Sequence, residues 1–151
     1  MKNSARSISY WVTGCLATLV MTASSAVAAN PEQLQELITT GQCPGCDLVG
    51  ADLTGAHLIG ADLRNANLTG ANLSHANLEG ADLTGANLTG ANLTKTFLTN
   101  ASLAKANLSR ADMTSAVAYN ADVSRAVLDN ITIVNAELFG TPINVGSDTD
   151  E

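Results

Sequence analysis

From residue 46 to residue 140 the chain repeats one five-residue unit, Ala-(Asp/Asn)-Leu-(Thr/Ser)-Gly, as in Ala51-Asp52-Leu53-Thr54-Gly55 and Ala86-Asn87-Leu88-Thr89-Gly90. Those 95 residues hold nineteen units with no insertion; nine carry strict Ala-(Asp/Asn)-Leu and seven more differ at one position, so the period governs the fold. A period of five suits neither a helix, which needs apolar residues three and four apart, nor a single strand, which alternates every two. It suits a coil that turns a corner once per unit. The Leu then fills the axis, the Ala two places before it is small because several sides converge there, and the other three positions face solvent. Gly and Asn suit the corners because they tolerate unusual backbone dihedrals.

The repeat resembles that of the pentapeptide-repeat proteins, over about two thirds of the chain, residues 46–140 of 151. The resemblance implies an all-β solenoid: a right-handed quadrilateral β-helix with four units per coil. Nineteen units divided by four give about 4.75 coils, a rod roughly 23 Å long at the ~4.8 Å spacing of neighbouring strands. Stability in such a stack sums over neighbouring coils rather than over one central core. Aromatics make up only 3% of the residues, which suits a narrow Leu/Ala column.

Residues 1–29 read as a Sec-type signal peptide. Lys2 and Arg6 precede a short apolar run from Trp11 to Met21, and Ala26-Val27-Ala28 offers a small-residue cleavage site. The apolar run is too short and too rich in Thr and Gly to span a bilayer comfortably, so no stable membrane association is expected after cleavage. Cleavage removes both cations. The remainder carries 5 basic and 14 acidic residues, a net charge of −9 against −7 for the full chain. Such acidity disfavours nucleic acid as a partner.

Residues 30–45 read as a short N-terminal capping helix followed by a Cys-Pro-Gly-Cys turn. Asn30 caps, Pro31 suits the first helical position, Leu34, Leu37 and Ile38 share a face, and Gly41 stops the helix. A solenoid end left bare offers unpaired backbone groups to other chains, which is the reason for a cap. Cys15 leaves with the signal, so Cys43 and Cys46 remain. In an exported chain the simplest reading is a structural disulfide between them. A redox-active pair in a thiol-disulfide oxidoreductase is the sharper alternative, without the βαβ context such enzymes have. A metal site is weaker, since the pair supplies two of four zinc ligands. The Cys-Pro-Gly-Cys-Asp-Leu run resembles that of exported family members from photosynthetic bacteria, which implies the periplasm or the thylakoid lumen. Residues 141–151 read as an acidic tail with no second capping helix, so the last coil is open to a homodimer contact.

With four units per coil, residues twenty apart share a face. Asn67, Asn87 and Asn107 stack on one, where an amide ladder is expected. Asp52, Asn72, Asn92 and Asp112 stack on a second. Asp62, Asp82 and Asp122 lie among Arg64, Lys105 and Arg125 on a third. The fourth carries His57, Asn77, Phe97, Val117 and Glu137 before the centre, and Ile59, Glu79, Thr99, Tyr119 and Phe139 after it. Every aromatic of the repeat falls on this face. Ile59, Phe97, Val117, Tyr119 and Phe139 therefore form the candidate interaction face. Unit 116–120 has Ala118 where Leu belongs, so inward rotation of Val117 or Tyr119 is the competing expectation.

No catalytic set converges: His57 and His75 fall on different faces, and the glycines are corners, not a phosphate loop. The expectation is an exported, non-enzymatic scaffold for an unidentified protein partner, with no metal and no cofactor. The other readings are a DNA mimic resembling the acidic, cytosolic family members that bind type II topoisomerases, and an oxidoreductase using Cys43 and Cys46.

Overall fold

The computed structural model describes residues 29–143. The signal peptide read at 1–29 and the acidic tail read at 141–151 lie outside the described residues, but for Ala29 and residues 141–143. A single helix, α1 (Pro31–Thr40), opens the described chain. Asn30 caps it: its side-chain oxygen accepts the Glu32 N–H at 3.0 Å and the Gln33 N–H at 3.4 Å. Gly41 ends it in the left-handed conformation, φ 69°, with its N–H on the Leu37 carbonyl. Leu37 is fully buried and Leu34 half-buried, while Ile38 faces solvent. The amphipathic face is therefore narrower than the sequence pattern suggests.

The rest is a parallel ladder in which every bridge joins residues twenty apart, from Gln42 with Asp62 to Val117 with Glu137. The period of five thus closes a four-sided coil after four units. The backbone satisfies itself in a fixed way. Leu48 donates up to the Asn67 carbonyl (2.8 Å), Asn67 donates down to Cys46 (2.8 Å), and Gly50 donates up to Thr69 (2.9 Å). Within the coil, Ala51 donates back to Leu48 (3.0 Å), which closes a tight turn around Val49 and Gly50. Gly50 has φ 64°, so the corner is of the kind that needs a left-handed third residue. Ser115, Lys105 and Arg110 occupy equivalent corners at φ 57–60° without being glycine, held there by the ladder on either side.

The axis is the Leu column. Leu48, Leu53 and every central Leu through Leu108 are buried, with Met113, Ala118 and Val123 continuing the line, and the Ala positions pack between them. Thr96 replaces one Ala; its buried hydroxyl donates to the Leu73 carbonyl at 2.8 Å, so no polar atom is stranded. After Val123 the central positions Leu128, Ile133 and Leu138 are only half-buried, because no further described coil covers them.

Two expectations change. The ladder begins at Gln42, not at residue 46, because residues 41–45 stack as a unit: Cys43 donates to Asp62 (2.8 Å) and Gly45 to Arg64 (2.8 Å). Cys43 fills the Leu position there, which is why the unit is hidden in the sequence. The amide ladder is absent from the Asn67, Asn87 and Asn107 column among the described residues. Asn67 and Asn87 instead accept the N–H and hydroxyl of their own Thr69 and Thr89, at 2.6–3.3 Å. A bond two residues away costs less ordering than one a coil away. The second face carries the one rung seen, Asn92 to Asn72 at 3.1 Å.

Candidate interaction face

The fourth face is built by the corner rule. Residues before and after each central Leu point away from the axis, and the ladder fixes their vertical neighbours. Phe97 bridges Asn77 on one side and Val117 on the other. Asn100 donates to the Tyr119 carbonyl (2.8 Å) and Asn120 to that of Phe139 (2.9 Å), which places Tyr119 and Phe139 on successive coils. Val117 and Tyr119 flank Ala118 within one unit. Phe97, Val117, Tyr119 and Phe139 are therefore contiguous across three coils, at the ~4.8 Å coil spacing.

Phe97 is 48% exposed and Phe139 80%, so neither ring is held in the axis. Val117 and Tyr119 are half-buried, and Ala118 itself is sealed at 0% exposure. The short residue is thus accommodated without either neighbour entering the core. The Tyr119 hydroxyl donates to the Glu137 carboxylate, which holds the phenol above its usual range. That bond ties the ring to the next coil through Glu137.

Ile59 is 63% exposed but stands apart, two coils from Phe97, with Asn77 and Glu79 between. It belongs to the N-terminal end, where His57, Leu53, Ala56 and Leu58 meet the exposed Ile38 of α1 around a cavity of about 330 Å³. Sequence reasoning placed Ile38 on the apolar face of the capping helix, where it is in fact exposed, and missed Val127 and Val134, exposed on two other faces. The signal was present: Val127 stands where that column has Asn, and Val134 where its column has Thr or Ser.

The remaining faces spend their charge locally. Arg64 pairs with Asp62 at 2.6 Å and reaches Asp82 at 3.8 Å. Its hydrogen bond lowers the Asp62 carboxyl below its ordinary range. The Thr54 hydroxyl does the same for Asp52. These carboxylates are occupied as turn acceptors. Cys43 and Cys46 are both buried and joined by a disulfide, with Cα atoms 5.4 Å apart.

The profile of the family described as Pentapeptide repeats matches residues 46–85, 81–117 and 97–130, in eight copies. Among solved structures, a pentapeptide repeat protein from the thylakoid lumen of Arabidopsis thaliana is 32% identical, covering 70% of this chain and 71% of that one, with a TM-score of 0.63. A pentapeptide repeat protein from the cyanobacterium Cyanothece 51142 is 26% identical over 70% of this chain and 92% of that one, with a TM-score of 0.41. QnrB1, a plasmid-mediated fluoroquinolone resistance protein, is 20% identical over 65% and 55%, with a TM-score of 0.40. No curated protein matches the chain.

Proposed function

The chain belongs to the pentapeptide-repeat family, a right-handed quadrilateral β-helix, and from that premise we propose an exported, non-enzymatic scaffold that holds a protein partner on its aromatic face. The carrying observation is the contiguous patch of Phe97, Val117, Tyr119 and Phe139; the other large exposed apolar side chains among the described residues, Ile38, Ile59, Val127 and Val134, stand apart from it. A rigid ladder presents that patch with little ordering cost on binding. Glu79 and Glu137 flank it, and the mature rod is strongly acidic. The partner therefore offers an apolar patch rimmed by Lys or Arg, which speeds encounter and fixes register.

In this reading the rod has about 4.75 repeat coils, with the cysteine unit added below and α1 over the N-terminal end. Leu37 supports the cap by filling that end. The small-residue run before Asn30 supports export, and the lumenal relative supports the thylakoid lumen or the equivalent periplasm. Two copies can also meet through the C-terminal end, where Leu128, Ile133 and Leu138 are half-exposed. The thiol-exchange reading gains no support: the described residues hold one helix and a stack of coils, without the βαβ context of such enzymes.

The test is capture from the exported compartment by immobilised protein. Wild type retains a basic-rimmed partner, and the Phe97→Ser, Phe139→Ser double variant loses at least about 2 kcal/mol of binding, the scale of an aromatic hot spot. Undiminished capture by that variant, at unchanged melting temperature, puts the binding site elsewhere on the rod.

A further inference from the structure

In every unit the central residue and the small residue of the next unit are three apart across a tight turn, and both point inward. Cysteine occupies both places at the first corner, as Cys43 and Cys46, with Cys46 donating to the Cys43 carbonyl at 3.3 Å and Gly45 at φ 71° making the turn. α1 lies against this corner. Its Gln33 carbonyl is 3.3 Å from the Cys43 Sγ, and the Gln33 side chain accepts the Asp47 N–H at 2.7 Å. One turn further along α1, Glu36 brings a carboxylate oxygen to the same place. That oxygen and the two sulfur atoms all lie within 4.8 Å of one another.

We propose that these three side chains form a redox-gated site for a zinc-class divalent cation. Two thiolates and one carboxylate are a ligand set that suits Zn²⁺, and a C-x₂-C pair is the spacing its thiolate ligands commonly take. The sequence reading left metal weakly supported because the pair offers only two ligands; the third is Glu36 of α1, seven residues before the nearer cysteine. The fourth position is taken by water, since Glu36 is solvent-exposed and leaves that side open.

The gate is the disulfide. A dithiol reductant transfers two electrons and two protons to the Cys43–Cys46 bond, which breaks to give two thiols while the reductant closes to its own disulfide. Zn²⁺ then binds both sulfurs as thiolates and two protons leave. Metal and disulfide exclude one another because they use the same sulfur atoms. Bound metal ties α1 to the first coil through Glu36, a link the disulfide does not make.

The test uses the full chain, produced and purified in dithiothreitol, then moved to reductant-free anaerobic buffer and titrated with Co²⁺ as a spectroscopic stand-in for Zn²⁺. The expected result is one Co²⁺ per chain with a thiolate-to-cobalt band of two-sulfur intensity, displaced by Zn²⁺, and a higher melting temperature on loading. Glu36→Gln, on the exposed side of α1, keeps the fold and weakens binding by about tenfold or more, given that even outer partners of a ligand act on that scale. The air-oxidised protein takes up no Co²⁺. The Cys43→Ser, Cys46→Ser double variant, which keeps Cys15, gives no two-sulfur band. Equal uptake by the oxidised protein or by the double serine variant overturns the site. So does an unchanged affinity in Glu36→Gln, because the third ligand is what distinguishes this corner from a bare cysteine pair.

Discussion

Leu88→Ser lowers the stability of the rod by about 4 kcal/mol, the upper range for truncating a buried Leu. Leu88 is fully buried at the middle of the axis, with Leu68 a coil before it and Leu108 a coil after it. Removing its isobutyl group forfeits roughly 2–3 kcal/mol of burial and leaves a void that the rigid ladder cannot close. The new hydroxyl adds a desolvation cost. Thr96 escapes that cost because, from the Ala position, it reaches the Leu73 carbonyl; the axis itself is lined by Leu and Ala. The damage also divides the solenoid, since each coil depends on its neighbours. Urea denaturation followed by circular dichroism checks this, with a large fall in midpoint or two separate transitions as the expected outcome.

Asn87→Pro, one residue away, attacks the ladder instead of the core and costs about 3 kcal/mol or more, as proline does where a paired N–H is required. The Asn87 N–H donates to the Ala66 carbonyl at 2.9 Å, and the ring removes that donor. The side-chain oxygen that accepts the Thr89 N–H at 3.1 Å and the Thr89 hydroxyl at 2.6 Å goes with it. Asn87→Ala loses only the side-chain part and costs about 1 kcal/mol, the net worth of an ordinary hydrogen bond or two. The same denaturation series separates the two. A proline variant no worse than the alanine variant means that the coil-to-coil bonds at this position contribute little.

What was legible in the sequence follows from which forces have a period. Burial and corner geometry repeat with the unit, so the twenty-residue register, the Leu axis and the outward placement of Phe97 and Phe139 could be read from spacing alone. The first unit, residues 41–45, could not, because Cys43 does the work of Leu without looking like it. The amide ladder was misread because spacing shows which amides stack but not that each can reach its own Thr first. Ile59 was grouped with Phe97 by column; contiguity also depends on what stands between, and there it is Asn77 and Glu79. The nearness of Glu36 to the cysteines depends on how a helix lies against a coil, which no repeat encodes.

The central claim is that position within the unit, not residue type, decides whether a side chain is core or surface. Phe97→Ser measured beside Leu88→Ser in one thermal denaturation experiment tests it directly. Phe97 is the larger side chain, yet it stands 48% exposed before a filled Leu98. The expected result is a melting temperature for Phe97→Ser close to wild type and far above that of Leu88→Ser, with a cost well under the ~3–5 kcal/mol of a core Phe truncation. A Phe97→Ser protein that melts as early as Leu88→Ser makes the ring part of the core and contradicts the account.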